Sequence, residues 1–222
     1  MQNAIKALGD WSEFALIVSV AFGLFIVSSL LHLILHAHDV PISQAHLKHV
    51  LEYEAPALAL LVWFMRRRGW TAARLTHSLS SSDALAGFGL FAAGYAAYYL
   101  AWMATTAMFP ELAASMATST LVSGRLSLAT VILVSLVNPV FEETFVCAYV
   151  ITFLETRRGE AVAFSASVAL RWLYHTYQGA RGVVAIIPLG LLFAGWYTRT
   201  NRLWPVIIAH GLFDFFGLLQ NA

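Results

Sequence analysis

Long apolar runs broken by short polar stretches dominate this chain. Seven can be traced: about Glu13 to His36, Val50 to Met65, Ala84 to Phe109, Leu126 to Leu154, Ala161 to Tyr177, Val183 to Tyr197 and Leu203 to Leu219. The apolar residues are continuous rather than alternating, which predicts helices and not barrel strands. Helices and closed barrels are the only structures that span lipid. The expected fold is therefore all-α, a polytopic transmembrane helix bundle. The fourth run contains Asn138-Pro139, and its roughly 29 residues at 1.5 Å each exceed a ~30 Å hydrocarbon core. It must tilt, bend or split, so the bundle has seven or eight spans. The first run is too long for a signal peptide and lacks a small-residue cleavage site, so it reads as a retained span. With no repeats or linkers, residues 1–222 form a single membrane domain.

Composition agrees. Hydrophobic residues make up 59% and charged residues 11%, whereas soluble domains are about a quarter charged. The net charge of +1 implies no nucleic-acid partner, leaving the lipid bilayer as the surroundings. A single cysteine, Cys147, excludes an intramolecular disulfide and a cysteine-based zinc cluster. With seven spans and the N-terminus inside, Lys6, Arg66, Arg67, Arg68, Arg74, Arg157, Arg158, Arg199 and Arg202 fall on one side, against Lys48, Arg125 and Arg181 on the other. The positive-inside rule then places the N-terminus in the cytoplasm, with the chain in the inner membrane if it is bacterial.

Six ionisable residues fall well inside spans: Glu142, Glu143, Arg171, His175, His210 and Asp214. Each costs at least about 2.5–3.5 kcal/mol at the bilayer centre, so their clustering in the last four runs points to an internal polar cavity. Arg171 and His175 are four apart and share a helix face, as do His210 and Asp214. Glu142 and Glu143 point about 100° apart on a helix. Counted from the inner ends, Glu143, His175, His210 and Asp214 lie at depths of about 16, 22, 10 and 16 Å. Carboxylates and imidazoles gathered in a low-dielectric pocket suit general-base activation of water and stabilisation of an oxyanion. The same donors also suit zinc, and they can equally pair off to hold the bundle together.

Three motifs sharpen this: Glu142-Glu143-Thr144-Phe145-Val146-Cys147, Arg171-Trp172-Leu173-Tyr174-His175 and His210-Gly211-Leu212-Phe213-Asp214. In order and inside spans, they resemble those of the CPBP family of intramembrane proteases, which includes the Rce1-like CAAX prenyl endopeptidases and bacterial Abi-type members. The resemblance covers about 126–219. It implies an intramembrane endopeptidase of glutamic rather than metalloprotease type, with no cofactor. Its substrate would be a membrane-embedded or lipid-anchored peptide or protein, and processing the C-terminus of exported or sorted proteins is one such task. By the same resemblance Glu142 is the general base, helped by His175. Glu143 supports Glu142, and His210 and Asp214 stabilise the oxyanion.

Three departures stand out. Cys147 occupies the position of the family arginine, Arg171 that of the family phenylalanine, and Asp214 donates a hydrogen bond only when protonated. Arg171 is expected to supply the charge missing at 147 and to pair with Glu143. Two other classes remain: a non-catalytic scaffold or chaperone of the same family, and a proton-coupled transporter.

The remaining features have plainer readings. His32, His36, His38, His46 and His49, with Asp39, read as a polar loop and helix end, with an outer metal site as the alternative. Glu52 and Glu54 read as interfacial. Trp11, Trp63, Trp70, Trp196 and Trp204 sit where an aromatic belt would. Gly87 and Gly94 suit close helix packing, and Cys147 reads as buried and inert.

Overall fold

The computed structural model describes residues 9–35, 41–118 and 122–222. Lys6, His36, His38 and Asp39 lie outside them, and with them part of the charge-asymmetry and outer-metal readings. The described residues are helical, with no strand; Ile42 and Val122 form an isolated bridge. In chain order the helices are α1 (Asp10–Ile34), α2 (Gln44–Arg67), the single turn α3 (Ala72–Leu75), α4 (Ser81–Met108), α5 (Pro110–Thr118), α6 (Leu128–Glu142), α7 (Val150–Arg158), α8 (Glu160–His175), α9 (Gly179–Thr200) and α10 (Trp204–Leu219).

Four stretches of the described residues are long and apolar enough to cross a membrane, and α10 is a shorter apolar helix. The expected count of seven or eight differs for two reasons. Glu160–Thr200 runs as one helical stretch, yet α8 and α9 pack against each other around the turn Thr176–Gln178 and Gly179, and so form a hairpin. In α2, Glu52, Glu54 and the flanking His46, Lys48 and His49 dilute an otherwise apolar helix. The fourth run neither splits nor breaks at Pro139. It continues from α6 through a π-helical segment, Glu143–Tyr149, into α7.

This composite helix is the centre of the bundle. Of its most apolar stretch 56% is buried, against 28% or less in the other three spanning stretches. It packs on α2 and α10 through α6, and on α8 through α7; α4 covers α9 and α10, and α1 covers α8. The π segment widens the turn, a distortion frequent at functional sites. One carbonyl in it, that of Val146, accepts from the Ser167 hydroxyl of α8 at 2.7 Å.

Pro139 and Gly211 fix a second contact. Pro139 lacks an N–H, so the Ser135 carbonyl loses its usual helical partner. There α10 comes closest, because a Cβ on Gly211 would lie 2.7 Å from the Ser135 oxygen. The neighbouring His210 is thereby brought against the central helix.

Several arginines gather at one end of the bundle. Arg68 and Arg157 pair with Asp10, Arg68 also with Glu13, and Arg202 with Asp83 at the start of α4. Exposed Leu85, Phe88, Leu100 and Met103 give α4 the apolar outer face a lipid-contacting helix needs.

Candidate active site

Glu142 ends α6 and Glu143 opens the π segment, so the two adjacent side chains diverge. Glu142 Oε1 accepts from Asn138 Nδ2 at 3.1 Å, and its Oε2 accepts from the Tyr174 hydroxyl at 2.6 Å. Glu143 is fully buried. Its Oε2 accepts from the Arg171 guanidinium at 2.5 Å and its Oε1 from His210 Nδ1 at 2.6 Å. No direct bond joins the two glutamates among the described residues. Glu143 instead ties α8 and α10 to the central helix.

Arg171 reaches both acids, lying 3.5 Å from Glu142 Oε2 as well. It also stands 3.7 Å from the Cys147 sulfur. A guanidinium carried by α8 therefore occupies the neighbourhood of residue 147, one turn after Glu143. Nine-tenths or more of each of Glu142, Glu143, Arg171 and His175 is buried.

The two histidines are oriented differently. His175 Nδ1 donates to the Arg171 carbonyl at 2.9 Å, one turn back. In the neutral ring this leaves Nε2 unprotonated, with a lone pair to offer. His210 spends Nδ1 on Glu143, and its Nε2 is 3.6 Å from Asp214 Oδ1, beyond hydrogen-bond length.

A cavity of about 160 Å³ lies against this cluster. Glu142, Asn138, Tyr174 and His175 line it, with Phe22 and Phe25 of α1 and Glu54 of α2. Glu143, His210 and Asp214 are not among its lining residues; they stand behind Glu142. The volume holds several waters.

Glu54 corrects the interfacial reading. It is 1% exposed and its Oε1 accepts from Asn138 Nδ2 at 2.8 Å. The signal was depth. Ser43 caps α2 by accepting from the His46 N–H, so the helix starts well before Val50 and buries Glu54 about 15 Å along it. Asn138 and Tyr174 were also missed, being an amide beside a proline and a neighbour of the motif histidine.

Residues 124–216 match the model of the type II CAAX prenyl endopeptidase Rce1-like family. No curated protein and no solved structure matches the chain. The Rce1-like segment runs from just before α6 into α10, and so carries Glu142, Glu143, Arg171, His175, His210 and Asp214. Glu54 and α1 to α5 lie outside it. The match covers less than half of the chain and shows that this segment is similar to that family, while the apolar helices suit an integral membrane protein.

One oxygen each of Glu142 and Glu143 and one nitrogen of His210 lie within 4.8 Å of one another, a spacing a metal could use. The donors fit poorly. Both Glu143 oxygens already accept hydrogen bonds, His210 Nδ1 carries the proton it donates, and the Arg171 guanidinium stands where it would repel a cation.

Proposed function

We propose that the protein is an intramembrane endopeptidase, hydrolysing a peptide bond of a membrane-embedded or lipid-anchored substrate with water activated by Glu142. One observation carries the reading: Glu142 and His175, from different helices, line the same cavity while a buried Arg171–Glu143–His210 chain fixes the helices that present them.

In this reading a water in the cavity gives its proton to the Glu142 carboxylate as its oxygen attacks the scissile carbonyl. His175 orients that water through its free Nε2. The Arg171 charge, 3.5 Å from Glu142, stabilises the negative charge that builds up nearby. His210, set behind the cavity, holds Glu143 and hence Arg171, and Asp214 stands 3.6 Å from its far nitrogen.

The cavity also suggests where substrate comes from. His32, His46 and Tyr177 line it and sit at the helix ends opposite those that carry Arg68, Arg157 and Arg202. If the arginine end is cytoplasmic, substrate arrives from the opposite side, as a C-terminal sorting or anchoring tail of an exported protein would.

The test is terminal-peptide mass spectrometry on membranes of cells producing the wild type or Glu142→Gln. New protein termini should appear with the wild type alone. Identical termini in both would end the protease reading.

A further inference from the structure

We propose that Glu54 of α2 is the second carboxyl of the hydrolytic centre, holding the proton that the leaving amine takes up. The inference rests on the Glu142-activated water of the proposed function and adds a partner from outside the family-like segment.

The geometry begins at Asn138. Its single amide nitrogen donates to Glu54 Oε1 at 2.8 Å and to Glu142 Oε1 at 3.1 Å. The two carboxyls are therefore no more than two hydrogen-bond lengths apart, in a pocket lined by Phe22, Phe25 and Phe141. Two anions so close in a low-dielectric site repel strongly, so the pair shares one proton.

The surrounding donors decide which carboxyl carries it. Glu142 receives Asn138 and Tyr174 and faces Arg171. Glu54 receives Asn138 alone, and its Oε2 is buried with no hydrogen-bond partner among the described residues. The negative charge belongs on Glu142 and the proton on Glu54. Other titratable groups around this pocket are His46 of α2, His32 of α1, and His175 and Tyr177 at the turn after α8. His210 and Asp214 of α10 lie within electrostatic reach. None of them shares the Asn138 amide.

The reaction then balances. Water forms its C–O bond to the scissile carbon while its proton passes to Glu142 and the carbonyl π pair moves onto oxygen. As that pair returns, the C–N bond breaks and the nitrogen takes the Glu54 proton. The products are a carboxylic acid and an amine. The pair still holds one proton, now on Glu142, and it crosses back to Glu54 before the next turnover.

Glu54→Gln tests this with little change of shape, since glutamine keeps an oxygen for Asn138 and has no acid proton. Infrared spectra of the purified full chain in lipid nanodiscs at neutral pH should show a protonated carboxylic-acid C=O band that Glu54→Gln removes. Cleavage of the protein whose new terminus depends on Glu142 should fall by about 10²–10⁴-fold. Glu52→Gln, at an exposed neighbour, should match the wild type. A folded Glu54→Gln with wild-type rates across the pH profile, or no acid band in the wild type, would overturn the assignment. Should Glu54→Gln not fold, Glu54→Asp replaces it: the acid band must shift, and an unshifted band is equally fatal. If Glu142→Gln is inert while Glu54→Gln cleaves normally, only the role of Glu54 fails. If both cleave normally, the protease reading fails with it.

Discussion

Among the described residues, the clusters around buried Glu13 and buried Glu143 both join carboxylates to arginine, and only the second has the makings of a site. At the arginine-rich end, Glu13 of α1 accepts from Arg68, from Trp70 Nε1 at 2.7 Å and from the Tyr149 hydroxyl at 3.3 Å. It staples α1, the end of α2 and the π segment together. Every oxygen is occupied, charge is balanced, and no cavity adjoins it among those described. In mid-bundle, Arg171 meets Glu143 and Glu142, with Glu54 and Asp214 nearby. Acids outnumber the cation, one oxygen each of Glu54 and Asp214 lacks a hydrogen-bond partner among the described residues, and a cavity lies alongside. A buried ion pair by itself is architecture. Surplus acid next to space for water is what suggests chemistry.

This contrast can be broken at its strongest point first. Glu142→Gln should lower cleavage by about 10²–10⁴-fold, the usual worth of a general base, and leave the thermal midpoint within a few degrees of wild type. Glu13→Gln should do the reverse. Removing the Glu13 charge beside Arg68, which keeps Asp10, should cost about 1.5–3 kcal/mol, read as a lower midpoint, with cleavage per folded molecule unchanged. If Glu13→Gln abolished cleavage in folded protein, the two clusters would not be separable.

Arg171→Phe should destabilise by a similar amount, about 3 kcal/mol, by leaving the buried Glu143 charge with His210 alone. The double variant Arg171→Phe with Cys147→Arg returns the charge from the position the family uses, and should recover most of that loss in the same melt. A double variant as unstable as the single would show that the two positions do not substitute for each other. Gly211→Ala should have a smaller effect, about 1–3 kcal/mol from overpacking, because its methyl meets the Ser135 carbonyl. Smallest of all, prolonged dialysis against EDTA should leave cleavage unchanged. Loss restored by added zinc would reinstate the metal reading of Glu142, Glu143 and His210.

Much of this was legible in the sequence because lipid makes charge expensive. Glu142, Glu143, Arg171, His175, His210 and Asp214 stood out against apolar runs, and their four-residue spacings put pairs on common faces. What could not be read was partnership. Glu143 looked like support for Glu142, yet its bonds go to Arg171 and His210, because adjacent residues on a helix face different neighbours. Glu54 was discounted because α2 begins earlier than its apolar run, in a polar turn capped by Ser43. Trp70 was placed in an aromatic belt, while its indole N–H is committed to Glu13 in the interior. The hairpin of α8 and α9 hid in a helical pattern whose reversal depends on a few residues around Gly179.

The wide turn at Glu143–Tyr149 sets the phase between the two ends of the central helix. A seven-residue loosening of this kind is an inserted residue absorbed without a break. Drawing the same residues into an ordinary α-helix, with none removed, would over-rotate everything beyond them by on the order of 100°. Phe153 and Arg157 would then swing away from Trp11 and Asp10 if the glutamates stayed put, or the glutamates would leave their partners if that end stayed anchored. The widened turn is what lets both faces stay in step while the chain carries its surplus residue.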